Sequence, residues 1–504
     1  MTSSLPAFDF APYRLSGVVY GTLLNHRPAL AALGEQVHHA PYKAPPQAPV
    51  LYVKPRNTIA LPGDAVSVPA EAPALEMGAA LGIVIGRTAC GLTLDNALAH
   101  VAGYTVINDV CWPHDSVYRP SVRLRARDGF CPIGPVVPAA AVANPDALAV
   151  KVWVDDALVH ETTTGERVRS VAQLLVDVTD FMTLQPGDVL MLGVSAGAPR
   201  AHAGQSVAIE IEGVGRLENR LVDEATTGVS EVTPKATAAP SKWRQTAAVP
   251  TARVACSGAV HTATAHGDHR LRLADGRTVA EDAVTWLPPF EVGTIIALGL
   301  NYADHLKELS KELTVTAKDE PLVFLKGPGS VVGHRAQTRR PNGMAFMHYE
   351  CELAVVIGQT AKHVKAADAM QHVAGYTVCN DYAIRDYLEN YYRPNLRVKN
   401  RDGGTVLGPW FVPASAVPNP HDLRLRTYVN GQLTQDGTTA NMVNDIPALI
   451  EYLSSFMTLQ AGDVILTGTP EGVVNVNVGD EVVTEIEGIG RLVNTLVGDD
   501  VFGR

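Results

Sequence analysis

Hydrophobic positions along this chain come mostly in short runs rather than at helical spacing. Segments such as LAVVIG (353–358), DVILTG (463–468) and DEVVTEIEGIG (480–490) are rich in Val, Ile and Leu and are cut off by Gly, Pro, Asn or Asp, the signature of strands. A few stretches, ADHLKELSKEL (303–313) and NDIPALIEYLSSFM (444–457) among them, carry apolar residues at helical spacing instead. The expected class is α+β, predominantly β. No glycine-rich loop leads from a strand into a helix in the manner of a dinucleotide or phosphate-binding motif, which disfavours nucleotide folds.

The pattern then repeats. VAGYTVIND at 101–109 returns as VAGYTVCND at 373–381, an offset of 272, and LGIVIG ending at Gly86 returns as LAVVIG ending at Gly358. FMTLQPGDV at 181 becomes FMTLQAGDV at 456, and IEGVGRLENRLV at 211 becomes IEGIGRLVNTLV at 486, both at an offset of 275. Long matches in one order at nearly one offset mean two copies of one domain. The spacing far exceeds that of solenoid repeats, so two globular units packed as a pseudo-dimer are expected. Residues 224–250, rich in Ala, Thr, Ser and Pro, read as a flexible linker between a first domain at 1–223 and a second at 251–504. The second opens with alternating apolar and polar positions around Asp275-Gly276, which predicts a small β subdomain over 251–289.

Composition narrows the function. A net charge of -11 argues against a nucleic-acid surface, because such a surface needs a concentrated positive field. The six cysteines are dispersed with no C-x-x-C pair, so neither a zinc cluster nor a disulfide framework is suggested. The N-terminal residues lack a basic segment followed by an apolar core, and no stretch reaches the roughly 18 apolar residues of a membrane span. The expectation is a cytoplasmic protein without a membrane or nucleic-acid partner, acting on a small molecule.

Candidate chemistry centres on YECELAVVIG (349–358). Strand side chains alternate faces, so Glu350 and Glu352 share one side and Cys351 takes the other. Two neighbouring carboxylates on an apolar strand repel each other and resist desolvation, which a cation between them relieves. An E-x-E pair standing alone also fits a solvated strand face. Asp381, closing the AGYTVCND segment, offers a third oxygen donor. Carboxylates without a His cluster suit Mg²⁺, with Mn²⁺ or Ca²⁺ as alternatives.

GLNYADHLKE, F-x-K-x-x-x-S, YECEL, GYTVCND followed by IRD, the passage from KNRDG to LGP, and GTPEGV occur in the order found in the fumarylacetoacetate hydrolase superfamily, which residues 290–497 resemble. The resemblance implies two tandem mixed β-sandwich or roll domains, with Glu350, Glu352 and Asp381 as metal ligands. It further implies His305 and Glu308 as a proton-transfer pair; their spacing of three residues would put them on one helix face. Lys399 joins them as a catalytic candidate, and Lys326, Ser330, Arg385, Arg393 and Thr469 are candidate substrate contacts. Each of these cations also reads as a surface charge, and GTPEGV as a plain turn. The substrate class implied is a small anionic 2-oxo or enol di- or tricarboxylate.

The tandem form resembles the family's bifunctional lyase and isomerase of homoprotocatechuate (4-hydroxyphenylacetate) breakdown. There 5-oxopent-3-ene-1,2,5-tricarboxylate loses CO₂ and the resulting 2-hydroxyhepta-2,4-diene-1,7-dioate is isomerised, both through one dienolate at the metal. An acylpyruvate or fumarylacetoacetate type of C–C hydrolase, a 2-oxo acid decarboxylase, and a non-catalytic metal- or anion-binding protein are the alternatives. The first copy lacks the ligands: at the offset of 272, Glu350 falls on Gly78 and Glu352 on Ala80, while Asp381 falls on Asp109. Lys54 keeps the place of Lys326, Arg125 takes that of Lys399, and Ala29 stands where His305 does. One active site and one degenerate copy are expected.

Overall fold

The computed structural model describes residues 17–224, 249–304, 320–388 and 396–502. His305, Glu308 and Arg393 lie outside the described residues. The chain divides into two compact units, Met1–Thr237 with Asn390–Leu396, and Ala238–Glu389 with Arg397–Arg504. Strands dominate both, as the short apolar runs predict. Among the described residues no helix is long and apolar enough to cross a membrane.

In the first unit a mixed sheet runs in the order Val50–Lys54, Val19–Leu23, Val189–Met191, Ala79–Ile85, Val101–Asn108, Val137–Pro138. The second unit repeats this order with Leu322–Lys326, Ile295–Gly299, Val464–Leu466, Cys351–Ile357, Val373–Asp381 and Thr405–Pro413, and adds Val331–Val332 at the edge. In both sheets the corresponding central pair is parallel, Val19–Leu23 with Val189–Met191 and Ile295–Gly299 with Val464–Leu466, and the edge strand Val331–Val332 adds a second parallel pairing with Thr405–Pro413. A five-stranded sheet covers one face of each central sheet, its Glu481–Ile486 and Gly490–Val497 strands packing on Val373–Asp381 in the second unit. Ala79–Ile85 and Cys351–Ile357 are buried throughout, the first a continuous apolar run and the second apolar but for Glu352.

Among the described residues each unit carries one nine-residue helix whose apolar stripe follows from its sequence. Val171, Leu174, Leu175 and Val178, and likewise Ile446, Leu449, Ile450 and Leu453, fall at i, i+3, i+4, i+7 and are buried. Side-chain oxygens of Ser170 and Asp445 cap the two N-termini. Ahead of the central sheet of the second unit, Ala252–Cys256, Ala259–Ala265, Arg270–Leu273, Thr278–Ala280 and Thr285–Leu287 form a separate five-stranded sheet. Its turns fall at Ser257-Gly258 and Asp275-Gly276, and Ala252, Val254, Leu271, Leu273 and Trp286 make its core.

Two asparagines place a matching tie in each unit. Asn25 donates through Nδ2 to the Leu192 carbonyl at 2.8 Å and the Arg169 carbonyl at 3.1 Å. Asn301 does the same to Thr467 at 2.9 Å and Asn444 at 3.0 Å. In both units the amide joins the end of one central strand to the chain that enters the helix.

Candidate active site

The second unit gathers its carboxylates at one end of the central sheet. Glu352 lies in the Cys351–Ile357 strand opposite Cys379 of the antiparallel neighbour, Glu350 immediately precedes that strand, and Asp381 ends the neighbour. One carboxylate oxygen from each lies within 4.8 Å of the others. Glu352 and Asp381 are fully buried. The Gly468 N–H donates to Glu352 Oε2 at 2.5 Å, while Glu352 Oε1 is buried without a hydrogen-bond partner. An orphaned carboxylate oxygen in such a cluster is costly unless a cation meets it, and all-oxygen donors suit a hard divalent ion. The residues present therefore fit a divalent metal.

Two lysines sit against this cluster. Lys326, fully buried, donates to Asp381 Oδ1 and to the Lys399 carbonyl. Lys399 Nζ bridges Glu350 Oε2 at 2.5 Å and Asp381 Oδ2 at 2.9 Å. Three carboxylates against two ammonium groups leave one negative charge, which a divalent ion would turn into one positive charge facing an anionic ligand. Burial pushes the Glu352 carboxyl well above its usual range, with the Asp381 and Glu350 charges adding to the shift. Burial acts the same way on Glu350, but Lys399, His348 and Arg385 outweigh it and hold that carboxyl at about 2. Lys399 is raised, the pull of Asp381 and Glu350 outweighing its burial.

Around this floor the remaining candidates divide. Arg385, half-buried, donates through Nε to His348 Nε2 at 2.7 Å. Thr469 is buried in the GTPEGV loop, and its Oγ1 accepts from Gln435 Nε2 at 3.0 Å. Gln435 Oε1 in turn accepts from Thr427 Oγ1 at 3.0 Å, which fixes the amide's orientation. Ser330 is fully buried, and its hydroxyl is engaged by the Gly327 carbonyl at 2.8 Å and Thr405 Oγ1 at 2.9 Å. It braces the turn after Lys326. His348 and Gln435 escaped the sequence reading. A signal existed for His348, which precedes Glu350 and Glu352 at the same two-residue interval, whereas Gln435 lies in a hairpin with no local motif.

The corresponding place in the first unit is filled differently. Lys54 Nζ lies 2.7 Å from Asp109 Oδ1, and Arg125 Nη1 lies 2.8 Å from Asp109 Oδ2. The Tyr52 hydroxyl, where the second unit has Phe324, also donates to Asp109. Burial would raise the Asp109 carboxyl, but Lys54 and Arg125 bring it below the usual range. A Cβ on Gly78 would stand 2.5 Å from the Asp109 carbonyl oxygen and 2.9 Å from Val194 Cγ2. Ala80 packs in the apolar core with Tyr52, Val84 and Ile107. The space of both glutamates is thus occupied.

The model of the fumarylacetoacetate (FAA) hydrolase C-terminal family matches residues 18–222 and again 294–497. The chain is 43% identical over 486 residues to the 4-hydroxyphenylacetate degradation bifunctional isomerase/decarboxylase of Escherichia coli, covering 96% of this chain and 99% of that protein. With the homoprotocatechuate catabolism bifunctional isomerase/decarboxylase of Escherichia coli the identity is 42% over the same coverage. A solved 5-carboxymethyl-2-hydroxymuconate delta-isomerase from Mycobacterium smegmatis is 37% identical, covering 50% of this chain and 99% of its own, with a TM-score of 0.44. With the family's domain matched in both halves, the chain belongs to the fumarylacetoacetate hydrolase family.

Proposed function

We propose that this chain is a metal-dependent, bifunctional isomerase/decarboxylase of 4-hydroxyphenylacetate (homoprotocatechuate) degradation. It would decarboxylate 5-oxopent-3-ene-1,2,5-tricarboxylate and isomerise 2-hydroxyhepta-2,4-diene-1,7-dioate. End-to-end similarity to relatives bearing that name supports the reading, and the observation that carries it is the convergence of Glu350, Glu352 and Asp381 beside Lys399 and Arg385. Glu350, Glu352 and Asp381 would hold the metal, with Mg²⁺ the ion proposed. A divalent ion there supplies Lewis acidity toward the carboxylate and 2-oxo oxygens of a 2-oxo acid.

The protein's own groups account for the rest. Lys326 neutralises Asp381, and Lys399 spans Glu350 and Asp381. With Oγ1 already accepting from Gln435, Thr469 has its single hydroxyl proton left to donate to a substrate carboxylate. The isomerisation moves one proton from the 2-hydroxyl oxygen to carbon 5. Loss of CO₂ leaves the same dienolate to be protonated, so one proton-transfer pair serves both steps. His305 and Glu308 are proposed for that pair from their sequence spacing. Free thiols at all six cysteines fit a reducing cytoplasm, the proposed location.

The test is a spectrophotometric assay of the purified protein with Mg²⁺ on the tricarboxylate and, separately, on simple acylpyruvates. Turnover of the tricarboxylate with loss of the conjugated chromophore is expected, abolished by a chelator and restored by Mg²⁺. Activity undiminished by the chelator would overturn the metal-dependent reading. Turnover of acylpyruvates alone would overturn the substrate.

A further inference from the structure

Arg385 carries one observation that the proposed reaction does not use. Its Nε donates to His348 Nε2 at 2.7 Å, and among the described residues no hydrogen bond to its Nη1 or Nη2 is present. His348 is itself fully buried, with Nδ1 3.0 Å from the Tyr349 carbonyl. The carbonyl can only accept, so Nδ1 bears the imidazole proton and Nε2 is the acceptor that Arg385 requires. A guanidinium offers a carboxylate two bidentate edges, one through Nε and a terminal nitrogen, the other through both terminal nitrogens. His348 closes the first and leaves the second.

The other described cations at the cluster are spent. Lys326 and Lys399 are bonded to the metal-binding carboxylates, and the buried Arg340 gives its terminal nitrogens to Asn475 and the Met344 carbonyl. Arg385 is bonded to no carboxylate among the described residues, and it reaches the cluster through His348, whose Nδ1 lies 3.7 Å from Glu350 Oε1. We propose that His348 is a positioning residue that presents the terminal edge of Arg385 to the substrate carboxylate farthest from the metal, and so sets selectivity for diacids over monoacids. The inference rests on the substrate class proposed above.

The experiment compares inhibition constants on the Mg²⁺-loaded enzyme for 2-oxoheptanedioate and 2-oxoheptanoate, which differ only in the distal carboxylate, with oxalate as a probe of the metal end. The native protein should prefer the diacid by about 10- to 100-fold, the scale of a charge-assisted bidentate contact. Arg385→Met should remove the preference, and His348→Ala should cut it by about tenfold. His348→Gln, whose amide oxygen can replace Nε2 as acceptor, should restore it. Oxalate inhibition within a few-fold of native in every variant shows that the metal end is intact; His348→Gln supplies the comparison if the alanine variant folds poorly. A native enzyme indifferent to the distal carboxylate would overturn the substrate reading and this inference together. Preference lost in Arg385→Met but kept in His348→Ala, or a glutamine variant no better than alanine, would overturn the inference alone.

Discussion

The two units share a sheet order, an asparagine tie and a buried lysine–aspartate pair, yet differ wherever a second and third carboxylate would stand. In the second unit Asp381 shares a cluster with Glu350 and Glu352, and Glu352 keeps an oxygen without a partner. In the first unit Asp109 has two cations and a phenol to itself. The same backbone frame therefore serves two electrostatic ends. One is under-compensated and suited to a metal; in the other the carboxylate charge is met by the cations Lys54 and Arg125.

The sharpest way to break the contrast is to make the same change in both units. Asp381→Asn should lower turnover roughly a thousandfold, the kinetic equivalent of several kcal/mol of lost charge stabilisation. Asp109→Asn should leave turnover near native and instead cost about 3 to 5 kcal/mol in stability, because buried Lys54 and Arg125 lose their counter-charge. Steady-state rates and calorimetric melting of the two variants decide it; a comparable loss of turnover in Asp109→Asn would show that the first unit takes part in the chemistry.

A reverse test restores the two missing glutamates. The double substitution Gly78→Glu, Ala80→Glu should not raise the metal content above one ion per chain by elemental analysis, and it should destabilise the protein by several kcal/mol. The reason is steric before it is electrostatic, since the first side-chain atom at residue 78 already meets the Asp109 carbonyl and Val194. Two ions per chain would contradict the account of a filled site.

Much of this is legible in the sequence. Matching blocks at nearly one offset expose the repeat, strand alternation puts Glu350 and Glu352 on one face, and the offset of 272 identifies Gly78 and Ala80 as their counterparts. The less legible part depends on residues distant in sequence. Lys326 reaches Asp381 across 55 positions, and Gln435 reaches Thr469 across 34. Nothing local in either segment announces such a contact. Ser330 shows the converse: the motif that includes it is present, but its hydroxyl is turned inward to Gly327 and Thr405. Nor does sequence tell that Tyr52 and Val194 take up the room two glutamates would need, because that is a matter of volume in three dimensions.

A smaller asymmetry lies in acid stability. His334 is buried in the second unit with Nδ1 accepting from the Val493 N–H at 3.1 Å, and burial, with Arg335 and Arg491 nearby, holds its pKa at about 3. The first unit has Pro62 at that place by the same offset. Between about 6.5 and 3 the unfolded chain binds a proton that the folded imidazole refuses, so stability falls as pH falls through that window. Chemical denaturation at pH 7 and pH 5 should show the gap between native and His334→Gln narrowing by about 2 kcal/mol at the lower pH. An unchanged gap would mean that His334 does not resist protonation.

The Gly468 N–H bonded to Glu352 joins a peptide group directly to a candidate ligand, and the φ of +88° at Gly468 is one that glycine adopts without strain. Asn301 anchors the preceding carbonyl, so this amide is held from both sides. An N–H donated to a carboxylate exchanges with solvent only when that bond opens, and its opening depends on the charge at the other end. The exchange rate of one glycine amide would therefore act as a gauge of the electrical state of Glu352. It could be read by magnetic resonance or mass spectrometry without substrate and without turnover.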